Sequence, residues 1–195
     1  MNLPKKFAAI SAALFLVATS AHAQVYTAFL SGPAESPPNA SPGTGFAQIT
    51  LSLATHTFSV QVNFTGLTGT TTASHIHAAT AVPGAGTAGV ATQTPSFSGF
   101  PLGVTSGNYS NTFDMTLAST WNAAYISANG GTPAGAEAAF ATALANGTAY
   151  FNIHTTTFGG GEIRGFLLPA PEPVSTTLFV LGGVAICLAR RFRRN

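Results

Sequence analysis

The chain has 195 residues, of which 46% are hydrophobic and only 6% charged, and its formal net charge is +2. Six of its seven basic residues lie near the ends (Lys5, Lys6, Arg190, Arg191, Arg193, Arg194), so residues 24–170 keep Arg164 alone against Glu35, Asp114, Glu137 and Glu162. That stretch carries a net charge of about −3 with histidines neutral, which excludes a cationic groove for nucleic acid.

At the start, Lys5 and Lys6 precede an apolar run from Phe7 to Ala18 and the small-residue triplet Ala21-His22-Ala23. A basic end, an apolar segment and small side chains that fit a peptidase are the three parts of a secretory signal. Residues 1–23 are therefore expected to be a signal peptide, cut by signal peptidase to leave Gln24 first. The 147 residues of 24–170 suffice for one domain. Cys187, the only cysteine, lies outside it, so no intrachain disulfide is available.

Period-two alternation predicts an all-β domain. The first strand is expected from Val25 to Leu30, followed by interruptions at Ser31-Gly32-Pro33 and Pro37-Pro38-Asn39. Ile49, Leu51 and Leu53 alternate with polar residues, as do Phe58, Val60, Val62 and Phe64, and Ala54-Thr55-His56 between them is short enough for a hairpin. Residues 83–110 are rich in Gly, Pro, Ser and Thr and read as loops with one or two edge strands. One short helix is predicted over Ala134 to Ala145, with Gly147 as its stop. Strands resume at Tyr150 to Thr155 and Ile163 to Leu168, joined across Gly159-Gly160-Gly161.

The chain ends with Pro171-Glu172-Pro173, an apolar run from Val174 to Ala189, and Arg190, Arg191, Arg193 and Arg194. A helix over 174–189 would reach about 24 Å, short of the roughly 30 Å hydrocarbon core unless the bilayer thins or the arginines snorkel. The arginines favour the cytoplasmic side. The expectation is a C-terminal transmembrane helix that leaves residues 24–170 outside the inner membrane.

The most distinctive chemistry is Ser74-His75-Ile76-His77. In a strand, His75 and His77 share a face, so two imidazoles converge on one ion or acid. His154 follows in Tyr150-Phe151-Asn152-Ile153-His154, on the same face as Asn152, and Glu162 and Arg164 are again spaced by two. Two readings stand side by side. In one, His75, His77 and His154 are parts of a hydrogen-bond network to backbone carbonyls or to Glu162. In the other they are nitrogen ligands of copper or zinc, with Glu162 a fourth ligand or an orienting acceptor. Arg164, the only cation of the domain, is expected to form a structural pair with Glu35 or Glu162. No Ser/His/Asp arrangement, CxxC pair or paired-carboxylate spacing identifies a reaction, and no catalytic residue is assigned.

Several segments resemble the CHRD (chordin-type) domain. They are Phe29-Leu30-Ser31-Gly32, Glu35-Ser36-Pro37-Pro38-Asn39, Thr44-Gly45, Phe64-Thr65-Gly66-Leu67, Ala73-Ser74-His75-Ile76-His77, Tyr150-Phe151-Asn152-Ile153-His154-Thr155 and Gly161-Glu162-Ile163-Arg164-Gly165. Ser36 stands where the family has valine, and residues 120–145 form an insertion. The resemblance implies an immunoglobulin-like β-sandwich or barrel. The tail over residues 171–194 resembles PEP-CTERM sorting signals, which implies an exosortase-type protease as partner, transient anchoring, and a final place at the cell surface or in the extracellular matrix. The favoured function is a secreted or cell-surface, non-enzymatic module that binds an extracellular protein or polysaccharide. The alternative is a histidine-ligated copper or zinc metalloprotein.

Overall fold

Apolar side chains alternate with hydroxyl and amide side chains along most of the strands, so each strand has one face to bury and one to leave in water. The structure, a computed structural model that describes residues 23–171, resolves this demand with one sheet. Its elements are β1 (Gln24–Ser31), β2 (Thr44–Ser52), β3 (Thr57–Thr65), β4 (Thr71–His77), β5 (Gly107–Asp114), α1 (Ala123–Ala128), α2 (Pro133–Ala145), β6 (Tyr150–Thr155), β7 (Ile163–Phe166) and the two-residue β8 (Leu168–Pro169). The order across the sheet is β4-β6-β7-β1-β2-β3-β5, with β8 also pairing β1. Every pairing is antiparallel.

The sheet curls around its own core. Tyr26, Ala28 and Leu30 of β1, Ala47, Ile49 and Leu51 of β2, and Phe58, Val60, Val62 and Phe64 of β3 are buried on the inner face. Residues 89–105 run along the free edge of β4, where Ala91 N–H donates to Ile76 O (2.9 Å), Phe97 N–H to Ser74 O (3.1 Å) and Gly103 N–H to Thr71 O (2.8 Å). From there the chain enters β5 at the opposite edge. Phe97 thereby plugs the open side of the half-barrel, its ring 5.3 Å from Phe113 and 6.0 Å from Phe151. The helices cap the same core: Thr132 caps α2 by accepting from Gly135 N–H (3.1 Å), and Phe140 packs 5.4 Å from Phe58.

Three expectations are corrected. The fold is a single sheet curled into a half-barrel, neither an immunoglobulin-like sandwich of two sheets nor a closed barrel, because β1 bonds to β2 on one side and to β7 and β8 on the other and so joins the two halves, while the edge strands β4 and β5 do not pair with each other. Among the described residues two helices are inserted rather than one; α1, six residues long, is too short to show a helical period and is marked only by Asn122, which caps it by accepting from Ala124 N–H (3.0 Å). Among the described residues no helix is long and apolar enough to cross a membrane, so a transmembrane helix and the anchored localisation drawn from it are not supported. The span expected at 174–189, the sorting residues Glu172, Pro173, Arg190, Arg191, Arg193 and Arg194, and the signal segment before residue 23 lie outside the described residues.

Candidate metal centre

Strand register assembles the site. Within β4–β6–β7, His75 lies opposite Asn152, which lies opposite Arg164, while His77 lies opposite Tyr150 and Ala73 opposite His154. Residues directly opposite each other share a face. Ser74, Ile76, Phe151 and Ile153 fill the inner core, so this polar set occupies the outer face. Most of it is nevertheless buried: His75, His77, Tyr150, Asn152 and Arg164 are at most 8% exposed, while His154 is half-buried with its Nε2 out of water.

Each imidazole is held by one backbone carbonyl. His75 Nε2–H donates to Pro95 O (2.6 Å), His77 Nδ1–H to Ala88 O (2.9 Å) and His154 Nδ1–H to Gly159 O (3.0 Å). A carbonyl only accepts, so these bonds fix the tautomers and leave His75 Nδ1, His77 Nε2 and His154 Nε2 as lone-pair donors. Those three nitrogens are buried and have no hydrogen-bond partner. One ligand nitrogen from each of the three residues lies within 4.8 Å of the others. Burial pushes the His77 imidazole down to about 4 against the pull of the Ala88 carbonyl. It also lowers His75 and His154, whose Pro95 and Gly159 carbonyls oppose it. Three neutral imidazoles with converging lone pairs can hold a metal ion. At a metal–nitrogen distance of about 2.0–2.1 Å, tetrahedral ligands stand about 3.4 Å apart, so the widest gap would close by up to about 1.4 Å.

Tyr150 orients the second imidazole. Its ring lies parallel to that of His77 at 4.7 Å and 3°, and the Arg164 guanidinium sits 4.8 Å from the Tyr150 centroid. Arg164 Nε–H donates to Ala34 O (2.6 Å), Nη1–H donates to Gly86 O (3.1 Å), and Nε lies 3.7 Å from Glu35 Oε2. Burial pushes the Glu35 carboxyl up to about 7, although Arg164 pulls the other way. Glu35 Oε1 and Asn152 Oδ1 are buried without partners, and both approach Gly161, where a Cβ would stand 2.7 Å from each.

Glu162 is placed elsewhere. It accepts from Ser41 Oγ–H (2.5 Å), Thr68 N–H (2.5 Å), Gly69 N–H (3.1 Å) and Thr155 Oγ1–H (2.6 Å), and from no imidazole. Its carboxylate ties the β3–β4 and β6–β7 connections together. It is not among the three residues whose ligand atoms converge. The sequence pattern alone did not mark Tyr150 and Asn152 as parts of the centre, although both stand in the His154 segment at positions that share its face.

Residues 26–167 match the model of the CHRD domain. The chain belongs to the CHRD family. The match takes in the sheet from Tyr26 of β1 through β7, and with it the histidine centre; residues 1–25 and 168–195 fall outside it. No curated protein and no solved structure matches the chain significantly.

Proposed function

We propose that this CHRD domain is a non-enzymatic binding module whose outer-face histidines hold one transition-metal ion, zinc or copper, through His75 Nδ1, His77 Nε2 and His154 Nε2. The observation that carries this reading is the convergence of three buried imidazole nitrogens that lack partners. Buried polar atoms are nearly always satisfied, and a purely structural network would leave all three orphaned. Imidazole nitrogens suit zinc and copper, whereas calcium and magnesium take oxygen. The Pro95, Ala88 and Gly159 carbonyls are the outer partners that set tautomer and ring orientation in such centres. A bound ion would cross-link β4 to β6 and add its binding energy to folding.

Native mass spectrometry after incubation with zinc or copper at neutral pH tests the reading. The wild-type chain is expected to retain one ion. His77→Ala and His154→Ala should each weaken retention by more than the roughly 10–100-fold that loss of an outer hydrogen-bond partner costs. A wild-type chain that retains no ion, or variants that retain it equally well, would reduce the histidines to carbonyl donors.

A further inference from the structure

A second surface lies on the outer face of β1-β2-β3-β5, away from the histidines. Register sets Phe29, Phe46, Asn63 and Asn108 in one row, and Thr27, Gln48, Gln61 and Ser110 in the next. Phe29 is 83% exposed in the middle of its strand and lies 5.2 Å from Phe46, centroid to centroid. Beside this aromatic pair is an open cleft of about 430 Å³ lined by Phe46, Gln48, Gln61, Asn63, Asn108 and Ser110. Asn39, Asn122 and Asn129 use their amides inside the protein. The amides of Gln48, Gln61, Asn63 and Asn108 have no partner among the described residues.

Charge selects the occupant. Of the five charged side chains between residues 24 and 170, Glu35, Glu137, Glu162 and Arg164 are buried, which leaves Asp114 as the only exposed one among the described residues. An anionic polymer finds no cation here, and a charged protein surface finds no counter-charge. An uncharged, hydroxyl-rich polymer suits the face: each amide offers both a donor and an acceptor to neighbouring hydroxyls, and an aromatic ring packs on the C–H face of a sugar. Neighbours within a row stand about 4.8 Å apart across the strands and the two rows about 7 Å apart along them, at the scale of a pyranose ring.

We propose that this face is a docking site for a neutral polysaccharide, with Phe29 and Phe46 as the stacking platform and Gln48, Gln61, Asn63 and Asn108 as the hydroxyl-reading amides. The site does not depend on the metal centre. The test is native affinity electrophoresis of the full chain through gels holding dextran, laminarin, hydroxyethylcellulose or galactomannan, with alginate as the anionic comparison. Wild type should be retarded by at least one neutral polymer, equally in chelator and in high salt. Phe29→Ala and the double variant Gln48→Ala, Gln61→Ala should bind about tenfold or more weakly while keeping the wild-type unfolding temperature. These are outward positions, so folding should survive. Three results would overturn the proposal: no retardation by any neutral polymer, variants retarded like wild type, or salt-sensitive binding to alginate alone. Wild-type self-association that Phe29→Ala abolishes would assign the face to a second copy and also overturn it.

Discussion

Glu35 and Glu162 are both buried carboxyls, yet their surroundings push them in opposite directions. Burial raises Glu35 to about 7, and Arg164 only partly offsets it. Burial also acts on Glu162, but the bonds from Ser41, Thr155, Thr68 and Gly69 outweigh it and hold that carboxyl below its ordinary range. The stability consequences have opposite signs. For Glu35 the folded value lies above the ordinary 4.5, so its contribution is full below pH 4.5 and is lost as pH rises through about 7. In metal-free protein, wild type should therefore lose stability relative to Glu35→Gln as the pH rises from 4.5 to about 8, by at most about 1.4 kcal/mol for each pH unit. Denaturant unfolding at both ends of that range measures it, and a difference that does not change with pH would contradict the assignment. For Glu162 the contribution is present above the ordinary range and is lost on acidification. Glu162→Gln removes the charge that four donors share and should cost on the order of 3 kcal/mol at neutral pH. Metal stoichiometry should stay at the wild-type value, whereas a residue that ligated the ion would take the metal with it.

The junction of β1 with β7 is what makes one sheet out of two halves, and it depends on a glycine. A Cβ on Gly165 would collide with the backbone carbonyl of Phe29 and come within 3.2 Å of the Ala28 Cβ. The obstacle is backbone, which does not move aside as the end of a flexible side chain would. Gly165→Ala should therefore destabilise the domain by about 3 kcal/mol or more, read as a lower midpoint in thermal unfolding. A midpoint within error of wild type would mean that β7 and β1 are not so closely joined. At this scale the strands that alternate cleanly, β2 and β3, are legible in the sequence, and so is the shared face of His75 and His77, since period two is a local property. Strand order is not local. A sandwich and a curled sheet both need one apolar face per strand, so alternation does not distinguish them. The cover over β4-β6-β7 is hidden for the same reason. Residues 79–96 and 158–161 carry no period, yet they supply the carbonyls that orient all three imidazoles. The binding of Glu162 by the 68–69 turn likewise depends on contacts more than 90 residues apart in sequence, whereas the pairing of Arg164 with Glu35 is legible because Arg164 is the only cation between residues 24 and 170.

Over the whole molecule, charge is withdrawn from the described surface almost completely, while hydroxyls and amides cover it. The half-barrel then offers two chemically distinct outer faces: an open one of amides and aromatics on β1-β2-β3-β5, and a covered one of imidazoles on β4-β6-β7. Both follow from the same alternation, which reserves one side of each strand for the core and frees the other for recognition. The central claim is that His75, His77 and His154 share one ion through their buried, unpartnered nitrogens. X-ray absorption at the metal edge of the zinc- or copper-loaded protein at neutral pH tests it most directly. The account predicts imidazole scattering from three nitrogens, at about 2.0–2.1 Å for zinc, that vanishes when His77 and His154 are both replaced by alanine. A metal surrounded by oxygen alone, or a spectrum unchanged in the double variant, would contradict it.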